Sequence, residues 1–131
     1  MTKARKAVLK VLQEAKWPLT AGEISMLVEI PCDPVTIYRN LHQLEDQGYA
    51  DSFVLHCSEH GTERYYTGLR DGEDSVKHHH WFHCERCHAF IDLGDCRMNP
   101  LLESYSAELG IRITGHTLYV TGTCPSCQEP H

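Results

Sequence analysis

Two Cys-x-x-Cys pairs constrain this chain more than anything else in it: Cys84-Glu85-Arg86-Cys87 and Cys124-Pro125-Ser126-Cys127, with 36 residues between Cys87 and Cys124. Each pair can place two sulfurs on one side of a tight turn, and four thiolates are the set that zinc takes in a closed tetrahedral structural site. The interval is too long for a bare zinc ribbon, so a small folded body has to lie between the pairs and be stapled by them. Disulfides or a redox pair are the alternatives. Seven cysteines is an odd count, no secretory leader precedes Lys3, and no apolar run reaches membrane-spanning length. A reducing cytoplasm with no membrane partner is therefore expected, and in that setting zinc is the stronger reading.

The chain of 131 residues carries a formal charge of −6, unevenly spread. Residues 1–50 hold six of the 12 Lys/Arg and six of the 18 Asp/Glu, with His42 their one histidine. Residues 51–131 hold six against twelve, the other nine histidines, and every cysteine but Cys32. The net charge opposes unspecific attraction to nucleic acid. Yet Lys3, Arg5, Lys6, Lys10 and Lys16 against Glu14 make the first sixteen residues basic, and a phosphate backbone responds to local charge.

In the first half, Ala7, Val8, Leu9, Val11 and Leu12 recur at helical spacing up to a stop at Trp17-Pro18. Thr20 and Glu23 form a capping box for a second helix with Ile24, Leu27 and Val28 as its apolar stripe, ended by Pro31. Asp33 as N-cap and Pro34 as first residue open a third helix through Val35, Ile37, Leu41 and Leu44 to Gly48. Residues 49–55 and 64–67 then read as a hairpin around a polar tip, His56 to Glu63. Three helices and a hairpin outline a winged helix, whose third helix enters the major groove. On it Thr36, Tyr38, Arg39 and Gln43 are either a solvated face or a base-reading one, with Lys3 and Lys6 placed for phosphates.

The polar stretch Arg70 to Ser75 reads as an interdomain linker. His78 to His83 then forms a strand in which His78 and His80 share one face while His79 shares the other with Trp81 and His83. A second strand, Ala89–Leu93, turns at Gly94-Asp95. Asn99 caps a helix that begins at Pro100 and stops at Gly110, and residues 111–121 form one long strand that brings His116 opposite His78 and His80. Imidazole suits zinc, iron, manganese or nickel. The fold class expected is α+β: a winged-helix DNA-binding domain over 1–69, a linker over 70–77, and a small metal-binding α/β domain over 78–131 with a four-cysteine zinc staple.

With these residues in view, the chain resembles the ferric uptake regulator family of metal-dependent repressors. The resemblance rests on Leu19-Thr20-Ala21-Gly22-Glu23-Ile24, Val35-Thr36-Ile37-Tyr38-Arg39-Asn40-Leu41, His78-His79-His80 before the first knuckle, and residues 110–116 before the second. It implies that residues 70–77 are a hinge and residues 78–131 a dimerisation domain, in a homodimer that reads an AT-rich palindrome in double-stranded operator DNA, with Tyr38 and Arg39 at the family's DNA-contacting positions. It also implies structural zinc on Cys84, Cys87, Cys124 and Cys127, a dimerisation-domain metal on His78, His80 and His116, and a hinge metal on His79 and Asp92.

Three positions depart from the family pattern: Pro18 and Trp81 stand where histidines are usual, and Asn99 where a glutamate is. Glu103 is the nearby replacement for the dimerisation-domain site, and Cys96, Cys57 and His60 for the hinge site. A thiolate in a sensing site favours zinc, and the terminal Cys-x-x-Cys is similar to the zinc sensors. Zinc is thus the expected regulatory ion, with iron(II) next, then manganese or peroxide sensing. A hydrolase built on the same knuckles would need an open zinc position, which four cysteines deny, and a zinc-stapled interaction module without DNA is the remaining alternative.

Overall fold

A computed structural model describes residues 1–69 and 79–128. The chain separates into two compact units, Met1–Lys77 and His78–His131. The linker assigned to Arg70–Ser75, the hinge range 70–77 and the ligand position His78 lie outside the described residues. No helix among the described residues is long and apolar enough to cross a membrane.

The first unit runs α1 (Lys3–Glu14), β1 (Leu19–Thr20), α2 (Ala21–Leu27), α3 (Pro34–Asp46), β2 (Ala50–Cys57) and β3 (Gly61–Gly68). The Thr2 side chain caps α1 by accepting from the Arg5 N–H. Thr20 and Glu23 close both bonds of the capping box on α2. Asp33 accepts from the Thr36 N–H at 2.7 Å to start α3. These caps satisfy donors that a helix N-terminus leaves unpaired. Helical spacing then turns Val8, Leu12, Ile24, Ile37, Leu41 and Leu44 into one core, each at most 2 % exposed. Each such side chain contributes about 1.5–3 kcal/mol by leaving water.

Three expectations for this unit change. The second helix ends at Leu27, not Pro31, and Leu27 itself is exposed. Pro31 has no N–H to give Leu27 and disfavours the helical region at Ile30, so the break spreads backwards. The tip is only residues 58–60: His56 pairs with Thr62 and Cys57 with Gly61, in a register fixed by Phe53 stacking on Tyr65 with ring centroids 5.8 Å apart. A short β1 also joins the sheet, in the order β1-β3-β2. Two residues carry no periodicity, so it left no signal in the sequence.

The second unit runs β4 (His79–Cys84), β5 (Phe90–Asp95), α4 (Asn99–Leu109) and β6 (Tyr119–Gly122), with a 3-10 turn over Pro125–Cys127. Its sheet has the order β5-β4-β6, with β5 antiparallel and β6 parallel to β4. A parallel neighbour requires a crossover, and α4 lies within it. Gly94 is not a turn but sits inside β5 where the register shifts between His79 and Trp81; its φ of +84° suits glycine at such a bulge. Asn99 is not the cap either. Met98 holds that position with no side-chain bond, and Asn99 is the first helical residue. Gly110 ends the helix at φ +65° as expected.

The long final strand shrinks to Tyr119–Gly122. Residues 111–118 belong to no strand, because an extended segment becomes one only where a neighbouring strand takes up its backbone groups. Of the described residues in this unit only His80, His83, Cys84 and Cys124 are buried. A body this small with no aliphatic core needs another source of stability.

Candidate metal centres and nucleic-acid interface

The parallel register decides where the sulfurs meet. Trp81 faces Tyr119 and Cys84 faces Gly122, so the second knuckle, two residues on, closes over the first. One ligand atom each from Cys84, Cys87, Cys124 and Cys127 lies within 4.8 Å of the others. No disulfide links any described cysteine. The Cys84 sulfur accepts from the Cys124 N–H at 3.4 Å and the Cys87 N–H at 3.5 Å, and these bonds lower its pKa to about 6. Cys127 is pushed up to about 12 because its proton is shared with the Cys124 and Cys87 sulfurs. Four crowded thiols of which some hold protons for the rest are what a divalent cation replaces, so the donor set fits zinc.

A second group joins β4, the β5–α4 link and the segment before β6. The Nε2 of His80 lies 3.0 Å from His116 Nε2 and 3.2 Å from Cys96 Sγ, and Cys96 Sγ lies 3.2 Å from His116 Nε2. His80 Nδ1 lies 3.0 Å from the Leu118 carbonyl oxygen. Since a carbonyl only accepts, Nδ1 carries the proton, which puts the neutral ring's lone pair on Nε2, facing Cys96 and His116. Glu103 is not in this group. It lines, with Asn99, Leu102, Ser106, Ile113 and His116, a cleft of about 670 Å³ between α4 and the following segment.

His79, on β4, holds Asp92 Oδ2 at 2.9 Å through Nδ1 and stands 3.4 Å from Asp95 Oδ1 through Nε2. Asp92 also accepts from the Gly94 N–H at 2.8 Å. Cys57 ends β2 in the first unit and its sulfur accepts from the His60 N–H at 3.4 Å. Cys96, set beside His79 and Asp92 from the sequence, instead meets His80 and His116. The antiparallel register that faces His79 with Asp95 is what brings the next residue, Cys96, to the start of β4, and the sequence alone does not supply that register.

On α3, Tyr38 is 56 % exposed and Arg39 is exposed, while Thr36 and Gln43 are half-buried. Lys3 and Lys6 are exposed on α1. Gln43 Oε1 accepts from Arg5 Nη2, and Arg5 Nε donates to Asn40 Oδ1 at 3.4 Å. The buried Asn40 in turn donates to the Thr36 carbonyl at 2.9 Å. Arg5 and Asn40 thus fix α1 to α3. The sequence reading did not single them out, because a polar pair 35 residues apart has no periodicity to reveal it.

The ferric uptake regulator family model matches residues 1–121. The ferric uptake regulation protein of Escherichia coli K12 is 29 % identical over 139 aligned positions, covering 98 % of this chain and 85 % of its own length. The ferric uptake regulator of Helicobacter pylori, described as having three functional metal-binding sites, superposes with a TM-score of 0.71 at 23 % identity, over 98 % of this chain and 84 % of that one. A zinc uptake regulator in complex with zinc and DNA superposes with a TM-score of 0.68 at 21 % identity, over 96 % and 81 %.

Proposed function

The chain belongs to the ferric uptake regulator family, and from that membership we propose a metal-responsive repressor that binds palindromic, AT-rich operator DNA as a homodimer and senses zinc. The family consists of transcription regulators, not enzymes. One observation carries the reading: a helical unit that presents Tyr38 and Arg39 to solvent is joined to a unit whose only buried described residues are histidines and cysteines.

In this reading α3 enters the major groove. The Arg39 guanidinium can fork onto guanine, Tyr38 can pack on a thymine methyl or a phosphate, and Thr36 lies on the same helix. Lys3 and Lys6 meet the backbone, and the Arg5–Gln43 bond holds α1 where it can place them. Cys84, Cys87, Cys124 and Cys127 hold the structural zinc, which when bound keeps the second unit folded in either regulatory state. The regulatory ion belongs to the histidine-bearing strand and its neighbours, from which Glu103 is reached across the cleft. It shifts the population towards the form that binds DNA by binding that form better. A dimer is supported by α4, which buries no residue in the chain alone.

A second reading, iron(II) or manganese sensing, is favoured by His79 with Asp92 and Asp95, a harder donor set. Titrating operator DNA with the zinc-stapled protein under buffered Zn²⁺, Fe²⁺ or Mn²⁺ separates the two. Affinity is expected to rise with Zn²⁺ by the 5–150-fold typical of roughly 1–3 kcal/mol of coupling. Equal affinity with and without every ion would end the switch reading. The variant Tyr38→Ala/Arg39→Ala is expected to lose about a hundredfold in operator affinity, at roughly 1–3 kcal/mol per base contact, with its circular dichroism unchanged.

A further inference from the structure

We infer that Cys96 is a ligand of the dimerisation-domain metal: with His80 and His116, which the family resemblance already assigns to that ion, it makes a set of two nitrogens and one thiolate that takes zinc-class ions and discriminates against manganese and iron(II). It rests on the repressor reading only for its purpose, since binding at the site can be measured without DNA. Cys96 occupies no ligand position that the family resemblance supplies. It stands three residues before Asn99, where a family glutamate is absent, and brings a sulfur in place of that carboxylate.

The three donors come from separate pieces of chain and converge. Their separations of 3.0, 3.2 and 3.2 Å are a few tenths of an ångström under the roughly 3.3–3.6 Å edges of a tetrahedron with bonds of about 2.0–2.3 Å. His80 is 8 % exposed and is oriented by the Leu118 carbonyl, the outer bond that fixes the tautomer of a ligating imidazole. Cys96 has its own support. Helix α4 has no side-chain cap, and the N–H of its cap residue, Met98, donates to Cys96 Sγ at 3.4 Å. That bond holds the Cys96 sulfur in place at the N-terminal end of α4.

Two imidazoles and a thiolate form a borderline-to-soft set, which binds cobalt, nickel and zinc well above manganese and iron(II). Three protein donors also leave a fourth position to a donor outside the trio, the arrangement of an exchangeable site, whereas the four-cysteine cage is closed. The two centres thus divide retention from response.

Protein holding one zinc per chain is titrated with Co²⁺ while the retained zinc is assayed. One further Co²⁺ per chain is expected, with the visible absorption of a four-coordinate ion and a near-ultraviolet sulfur-to-cobalt band. Cys96→Ser removes that band and weakens Co²⁺ by at least tenfold, His116→Ala keeps the band at saturating Co²⁺ with weaker binding, and Mn²⁺ binds at least about a hundredfold more weakly than Co²⁺. Cobalt bound without the sulfur band, or a band unchanged in Cys96→Ser, overturns the site. The wild-type spectrum alone decides this if a variant does not fold. Cobalt bound as expected with no change in operator affinity would instead leave the site standing and remove the repressor reading.

Discussion

Cys84 is the residue through which the second unit is held. Its sulfur takes N–H bonds from both knuckles and is fully buried, so a change there removes a ligand and an acceptor together. Binding at structural zinc sites amounts to about 10–16 kcal/mol, comparable with the roughly 5–15 kcal/mol that separates a whole domain from its unfolded state. Cys84→Ser is therefore expected to lose tightly bound zinc and the fold of residues 79–128, seen as less than one zinc per chain by elemental analysis. A zinc-free variant that stayed folded would remove the staple. In the zinc-free chain the pH response follows from the lowered Cys84 value. Between about 6 and its ordinary 9.0 the folded chain keeps Cys84 anionic where the unfolded chain protonates it. That contribution is complete above 9.0 and is lost as the pH falls through about 6. Protons also compete with zinc for the four thiolates, so zinc release to a chelator should accelerate as the pH is lowered, and a rate that stayed flat into acid would contradict this.

At the scale of elements, helices with local caps were legible and pieces that depend on distant partners were not. Thr20-x-x-Glu23 announces α2 because both bonds of its box lie within three residues. Thr20→Ala should destabilise the first unit by about 1 kcal/mol, measured as a fall in the urea midpoint at unchanged slope. Asp33 and Pro34 announce α3 in the same way. By contrast, Ile111-Arg112-Ile113 alternates like a strand, yet it joins no sheet among the described residues. β1 is visible only once Tyr65 and Tyr66 lie beside it. The candidate sites divide likewise. Tight Cys-x-x-Cys spacing revealed the four cysteines, whereas adding Cys96 to His80 and His116 required the β4–β5 register, which faces His79 with Asp95.

For the whole molecule, the decisive fact is how little the second unit buries. Leu101, Tyr105, Leu109, Ile111 and Leu118 are each between 38 and 66 % exposed, on the helix α4 and the segment that follows it. A second copy is the partner that the proposed function requires, and a stable protein–protein contact needs about 800 Å² from each side. Residues 111–113, which lie outside both sheets, can supply edge hydrogen bonds to such a copy. Tyr105→Asp with Leu109→Asp places two charges on that face while leaving every proposed metal ligand and α3 unchanged. Each lost apolar contact is worth about 1.5–3 kcal/mol, so sedimentation equilibrium should show the dimer weakened by at least a hundredfold, with one zinc per chain retained. Operator binding should weaken in parallel, because a monomer reaches only one half of a palindrome at a time. If the variant sediments as a dimer at the same concentration as the parent, α4 is not the interface, and the exposed apolar face then has to be covered by something other than a second copy.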